Sequence, residues 1–332
     1  MKTRIAINGF GRIGRIFMRT VLQNPYIEVV AINDLSSIET MAHLFKYDSV
    51  HRTFDGQVSH TENTLKINQF SISYFSKNKP TDLPWKALNI DIVVECTGKF
   101  KSYELANQHI IAGAKKVILS APPVDDKIKT IVLGVNDSII TKEDIILSNA
   151  SCTTNCAAPM IGLIDNYFGI ESAYITTVHS YTTDQRLHDS PHSDLRRARA
   201  GASSIVPTTT GAAKAITKIF PNLNDKLGGC GIRVPVPDGS LTDITCVVSQ
   251  QTSIQEVNQL FRQAATHLNK GILSYIEEPV VSVDIIGNTY SCIFDSMLTS
   301  VIGKMVKVVG WYDNEQGYSA RLVDLILKIR NT

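Results

Sequence analysis

Arg4-Ile5-Ala6-Ile7-Asn8-Gly9-Phe10-Gly11-Arg12-Ile13-Gly14-Arg15 is the stretch on which the fold turns. Arg4 to Ile7 reads as a strand, and Ile13 to Leu22 as a helix that ends before Pro25. Between them Gly9, Gly11 and Gly14 spell G-x-G-x-x-G. Alone such a triplet is weak; after a strand and at the opening of a helix it acquires meaning. There Gly9 permits the tight turn, Gly11 lets the backbone approach a diphosphate, and Gly14 lets helix and strand pack closely. The N–H groups of the helix start then face the anion. A purely structural β-α turn is the bland alternative.

Outward from this unit, Glu28 to Ile32 is a second strand, and Asp34 follows twenty residues beyond Gly14. An acid there accepts hydrogen bonds from ribose hydroxyls and repels a 2′-phosphate, so NAD is expected rather than NADP. Asp34 also suits a helix N-cap ahead of Ser36 to Phe45. Asp91 to Glu95, Lys116 to Leu119 and Thr130 to Leu133 read as further strands, with a helix from Tyr103 to Ala112 stopped by Gly113. Apolar strands separated by helices indicate a mostly parallel sheet covered on both faces.

The texture changes near residue 150. An apolar helix from about Cys152 to Phe168 leads into longer, alternating strands: Ala173 to His179, Thr242 to Val248 and Lys304 to Tyr312. The expected fold class is α/β. A Rossmann-type dinucleotide-binding domain spans 1–150, and an α+β catalytic domain with a mostly antiparallel sheet spans 151–315. The C-terminal helix, about 316–332, returns to the first domain.

Composition agrees with a globular enzyme of 332 residues, 43% hydrophobic and 19% charged. Lys plus Arg number 33 against 31 Asp plus Glu, a balance that offers nucleic acid or an anionic membrane no overall attraction. No apolar run approaches the roughly 20 residues of a membrane helix. The first residues enter an apolar segment without a basic leader, so no targeting signal is read. Six dispersed cysteines fit reduced thiols, and a cytoplasmic location is expected.

Ser151-Cys152-Thr153-Thr154-Asn155-Cys156 lies at a strand-to-helix turn. A cysteine at a helix start feels the positive end of the dipole, which favours thiolate, and the same N–H groups can hold an oxyanion. Cys152 and Cys156 lack a second ligand pair, so no metal site is read. Cys152 is the candidate nucleophile, and Cys156 a packing thiol. His179, at the end of its strand, is the candidate base, although a lone histidine is often structural. Arg196, Arg197 and Arg199 form a basic cluster in a polar loop; Thr208-Thr209-Thr210-Gly211 opens the helix Ala212 to Ile219; Arg233 sits in the strand pattern Cys230 to Val236. Hydroxyls, arginines and helix-start N–H groups together suit phosphate.

Three motifs, Ile7 to Arg15, Ser148 to Cys156 and Trp311-Tyr312-Asp313-Asn314-Glu315, resemble phosphorylating glyceraldehyde-3-phosphate dehydrogenase, and the similarity runs from end to end. The resemblance implies attack of Cys152 on the aldehyde, His179 as base, hydride transfer to NAD, and cleavage of the thioester by inorganic phosphate to 1,3-bisphosphoglycerate. It implies that Arg12, Ile13, Asp34 and Ser120 line the NAD site beside Gly9, Gly11 and Gly14, with Asn314 on the nicotinamide carboxamide. Ser151, Thr153, Thr210 and Gly211 would hold the attacking phosphate. Thr182, Arg233 and one of Arg196 and Arg197, with Arg197 favoured, would hold the substrate's own phosphate. It further implies a homotetramer.

The chain departs from the family at three places: Gln316 where tryptophan is common, Asn78 where arginine is common, and Ser190-Pro191 in place of Leu-Pro. An erythrose-4-phosphate dehydrogenase is the nearest rival, and Ser180 to Gln185, Pro207 to Gly211 and Asp34 favour the triose enzyme. A catalytically silent NAD- or RNA-binding protein, or a non-phosphorylating aldehyde dehydrogenase, would need a damaged catalytic set or no phosphate site.

Overall fold

Fully apolar strands pair in parallel when both sheet faces are covered, and the first half of the chain does this. The computed structural model describes residues 2–332. Its contacts divide the chain into two units: one comprises the chain up to Ile131, Ser138–Ala150 and Ser319–Thr332, the other Val132–Asp137 and Ser151–Tyr318.

The first unit contains the strands β1 (Thr3–Asn8), β2 (Ile27–Asn33), β3 (Val58–His60), β4 (Thr64–Ile67), β5 (Phe70–Phe75), β6 (Ile92–Glu95), β7 (Lys116–Leu119), β8 (Lys129–Thr130) and β9 (Ile146–Ser148). They form one sheet in the order β3-β4-β5-β2-β1-β6-β7-β9-β8. Pairing is parallel from β5 to β8 and antiparallel only across β3, β4 and β5. Helices α1 (Arg12–Val21), α2 (Ile38–Lys46) and α3 (Tyr103–Ile111) connect the strands. Ala6, Ala31, Val93 and Val117 supply one core face, packed with Trp85, Ile90 and Ala106. After β5 the chain crosses to the other side of β1, where β6 pairs, and the parallel register sets the C-terminal ends of β1, β2 and β6, carrying Asn8, Asn33 and Glu95, side by side.

Two expectations change here. Thr130 to Leu133 is not a continuous strand: β8 stops at Thr130, and Val132 accepts N–H bonds from Val135 and Asn136 in a turn. An apolar run of four marks burial and does not by itself mark strand. Asp34 is not the cap of α2, because Ser37 is, with its side chain accepting from Thr40 N.

The second unit contains β10 (Ile170–Ser180), β11 (Val206–Thr208), β12 (Leu227–Val234), β13 (Ser240–Val248), β14 (Leu273–Ile276), β15 (Cys292–Asp295), β16 (Ser300–Ile302) and β17 (Met305–Tyr312). Their order is β11-β12-β10-β13-β17-β15-β14, with β16 on β17; only β10 with β12 and β14 with β15 pair in parallel. β13 alternates buried and half-buried residues along its length, as a sheet with one covered face requires. Helices α4 (Cys152–Phe168), α5 (Ala212–Ile219) and α6 (Ile254–Gln263) belong to this unit, and α7 (Gln316–Asn331) continues the chain beyond it. α4 is buried along nearly its whole length and tolerates Pro159 at an interior position. No helix among the described residues is long and apolar enough to cross a membrane.

Candidate active site

The nucleophile is aimed by its approach. Ala150, fully buried, adopts φ +56°, a left-handed conformation that costs a non-glycine residue on the order of 1 kcal/mol. Its N–H is held by Ser148 Oγ at 3.1 Å. Ser151 then caps α4, its Oγ accepting from Thr154 N at 3.1 Å, which leaves Cys152 as the first helical residue. Its Sγ lies 3.5 Å from His179 Nε2.

His179 is 6% exposed near the end of β10. Its Nδ1 lies 2.8 Å from the Ser180 carbonyl oxygen and 2.6 Å from an Arg233 guanidinium nitrogen, which itself donates to that carbonyl at 3.0 Å. A base at Nε2 requires the ring proton on Nδ1, directed at the carbonyl, whereas the Arg233 guanidinium, a donor only, favours the other tautomer while it stands at 2.6 Å. Burial first, then the Arg233 charge, pushes the imidazole down to about 3, so it is neutral and able to accept a proton. Burial also pushes the Cys152 thiol up to about 11, against the pull of Arg233 and of the Thr153 N–H. The helix start was expected to favour thiolate; here desolvation works against it and raises the thiol instead.

Tyr312 underpins this pair. Its hydroxyl meets Thr153 Oγ1 at 3.0 Å and Thr177 Oγ1 at 2.9 Å, and its ring meets His179 edge-on at 5.9 Å between centroids. Thr153 therefore offers an anion its N–H, with its hydroxyl already engaged.

Two clusters in the same unit suit anions. Gly211 opens α5 without a side-chain cap, and a Cβ there would meet nothing within 4 Å. Thr210 Oγ1 accepts from Ala212 N at 3.2 Å. Arg197, more inward than Arg196, donates from Nε to Thr208 Oγ1 at 2.8 Å and pairs with Asp184 at 2.5 Å. Burial first, and among the smaller causes the repulsion of the Arg197 charge, lower the proton affinity of Arg233; a phosphate placed between the two arginines would relieve that repulsion. Thr182 is tied through its N–H to Gln185 Oε1 at 2.8 Å.

The first unit carries a separate cradle. Gly9 has φ +93°, and a Cβ on Gly14 would lie 2.3 Å from the Gly9 carbonyl oxygen. On Gly11 a Cβ would meet open space. α1 has no side-chain cap at Gly11, so its first-turn N–H groups, Arg12 and Ile13 included, are presented to an anion. Arg12 itself pairs with Asp48 at 2.6 Å. Asp34 accepts from Phe10 N at 2.7 Å and Ser36 N at 2.9 Å, which fixes its carboxylate with lone pairs left for ribose hydroxyls. Ser120 follows β7 at the same sheet edge. Open space at Gly11 beside an uncapped helix start fits a dinucleotide diphosphate.

Beneath the cradle is a buried network that the sequence did not reveal. Glu95 accepts from Asn8 Nδ2, from Thr97 N at 2.7 Å and from His109 Nε2 at 3.3 Å. Trp85 Nε1 donates to His109 Nδ1 at 3.0 Å, so the imidazole is neutral with its proton on Nε2. Asn33 Nδ2 donates to Asn8 Oδ1 at 2.7 Å. Asn8, before Gly9, is thus held by the carboxylate, and Asn33, before Asp34, is held by Asn8.

The cradle yields a paired prediction. Gly14→Ala forces backbone apart and is expected to lower the melting temperature, at an overpacking cost of about 1–3 kcal/mol. Gly11→Ala meets no protein atom, so it should leave thermal stability within about 1 °C and weaken NAD roughly tenfold or more by occupying the diphosphate's approach. Calorimetry and fluorescence titration with NAD distinguish the two; Gly11→Ala with undiminished NAD affinity would remove the diphosphate from this turn.

Two family descriptions match the chain. Residues 3–103 match the family description "Glyceraldehyde 3-phosphate dehydrogenase, NAD binding domain", and residues 151–314 match its C-terminal domain. The chain is 53% identical to glyceraldehyde-3-phosphate dehydrogenase of Thermotoga maritima, over 98% of this chain and 99% of that one. It is 52% identical to the protein of that name from Geobacillus stearothermophilus, over 98% and 97%. It is 51% identical to glyceraldehyde-3-phosphate dehydrogenase 2 of Streptomyces avermitilis, over 100% and 99%.

Proposed function

The chain belongs to the glyceraldehyde-3-phosphate dehydrogenase family, and from that premise we propose how its own residues carry the family's reaction. It is an NAD-dependent oxidoreductase acting on the aldehyde group of glyceraldehyde 3-phosphate, with inorganic phosphate as second substrate and 1,3-bisphosphoglycerate as product. The observation that carries the residue assignment is the 3.5 Å approach of Cys152 Sγ to the neutral His179 Nε2 at the first turn of α4.

Cys152 attacks the aldehyde carbon as His179 takes the thiol proton, so charge develops only as the bond forms. The N–H of Cys152 at the start of α4, where the Ser151 cap engages Thr154 N instead, joins the imidazolium just formed in stabilising the hemithioacetal oxygen. The imidazolium gives its proton to that oxygen, making the hemithioacetal hydroxyl, and the neutral His179 takes it back as hydride leaves the carbon. Bound NAD supplies the hydride acceptor, and Asn314 orients its carboxamide. The resulting thioester is opened by phosphate held at Ser151, Thr153, Thr210 and Gly211. Thr182, Arg197 and Arg233 bind the phosphate the substrate carries. Gly9, Gly11, Arg12, Ile13, Gly14, Asp34 and Ser120 hold the dinucleotide, and the Asp34 carboxylate favours NAD over NADP.

The test is a steady-state assay with and without phosphate or arsenate. Omission should lower NADH production at least about 100-fold after the first turnover, because water is a poor substitute in a phosphate-shaped site. Rates independent of both anions would favour a non-phosphorylating enzyme, and faster turnover of erythrose 4-phosphate would favour the four-carbon rival. A homotetramer in the cytoplasm completes the reading. The exposed face of the second unit's sheet, where Tyr174 is 52% exposed, offers a surface for a further copy, and light scattering checks the assembly.

A further inference from the structure

Ser180 ends β10 and Ser240 begins β13, and both are buried, at 0% and 1% exposure. Further along β13 the same face carries Ile244, Cys246 and Val248. Buried hydroxyls carry a desolvation cost unless hydrogen bonds offset it. Here both converge on one atom. Ser180 Oγ donates to Asn314 Oδ1 at 2.8 Å, and Ser240 Oγ donates to the same oxygen at 2.7 Å. Ser240 Oγ in turn accepts the Ser180 backbone N–H at 3.1 Å, which directs the Ser240 hydrogen toward the amide.

Two hydroxyl donors on Oδ1 fix the amide so that Nδ2 is its remaining polar group, a donor. The backbone around Asn314 is held as well: Asp313 accepts N–H bonds from Gly287 at 2.7 Å, Glu315 at 2.8 Å and Gln316 at 2.7 Å. We infer that Ser240 and Ser180 are positioning residues, which lock Asn314 as a hydrogen-bond donor to the nicotinamide carboxamide and so set the orientation of the ring that receives hydride. The inference rests on the assignment of Asn314 made above. Without the serines the amide can turn over and exchange donor for acceptor, and the ring loses its anchor while thiol and imidazole keep theirs.

A double-mutant cycle on the full-length enzyme tests this. Ser240→Ala should weaken NAD about 5–10-fold, the scale of one hydrogen bond, and slow single-turnover hydride transfer by a similar factor. A larger isotope effect from 1-deuterated substrate should accompany it, with the alkylation rate of Cys152 unchanged. Ser240→Thr, which keeps the hydroxyl, should restore much of the loss, and Ser180→Ala should repeat the pattern from the other strand. Asn314→Ala should lower both quantities further, and adding Ser240→Ala to it should change nothing. Wild-type behaviour of both serine variants beside an impaired Asn314→Ala, or additive losses in the cycle, would overturn the positioning role. An unimpaired Asn314→Ala would instead overturn the assignment of Asn314, and this inference with it.

Discussion

Cys152→Ser should lower phosphorylating turnover of glyceraldehyde 3-phosphate by roughly 10⁴-fold or more, while NAD binds within about twofold of wild type. The sulfur performs two tasks that oxygen performs poorly here. It attacks with only a neutral imidazole at 3.5 Å to relieve it of its proton, and a serine hydroxyl is far less acidic than even the raised thiol. It also leaves as a thiolate when phosphate opens the thioester, whereas an oxygen ester would resist the same attack. The substitution is nearly isosteric and sits beyond the Ser151 cap, so α4 should be undisturbed. Rapid-quench assay for acyl-enzyme, alongside NAD titration, separates chemistry from binding. Turnover within tenfold of wild type would end the covalent mechanism.

How much of this was legible beforehand depended on the range of the interaction. Gly9 to Gly14 announced a strand-turn-helix because each glycine's role is local, and the structure shows the close Gly9–Gly14 approach. α4 was read from Cys152 to Phe168 from its flanks and apolar content, and it has those bounds. The antiparallel excursion through β3, β4 and β5 was missed; these strands are short, and their turns are marked by single asparagines, Asn63 and Asn68, the latter at φ +52°. Ser180, Ser240 and Tyr312 gave no signal, since their partners lie 134, 74 and 159 positions away. The left-handed Ala150 was equally hidden, because alanine ordinarily avoids that conformation. The ionisation of Cys152 went astray for a related reason. A helix dipole can be read from a few residues, whereas the desolvation that opposes it comes from the whole surrounding unit.

The same distinction shapes the result expected for the base. His179→Asn should lower kcat roughly 10²–10⁴-fold, the usual span for a positioned general base, with little change in NAD affinity. Its pH behaviour follows from sign. Burial and Arg233 depress the imidazole to about 3, so in the wild type the base stays neutral across the ordinary histidine range, and the acid limb of kcat/KM attributable to it lies below pH 6. Arg233→Ala removes the second cause and leaves the first, so that limb should move to higher pH, in addition to a loss of roughly 100-fold from the missing phosphate contact. Stability obeys the same linkage. A histidine whose folded pKa is depressed binds fewer protons folded than unfolded, so its contribution is complete above about pH 6.5 and declines as pH falls toward 3. Replacing it with asparagine should flatten the stability-pH slope in that window, whatever the variant's absolute stability. Urea unfolding at several pH values measures the slope, and an unchanged slope together with an unmoved acid limb in Arg233→Ala would place the titrating base elsewhere.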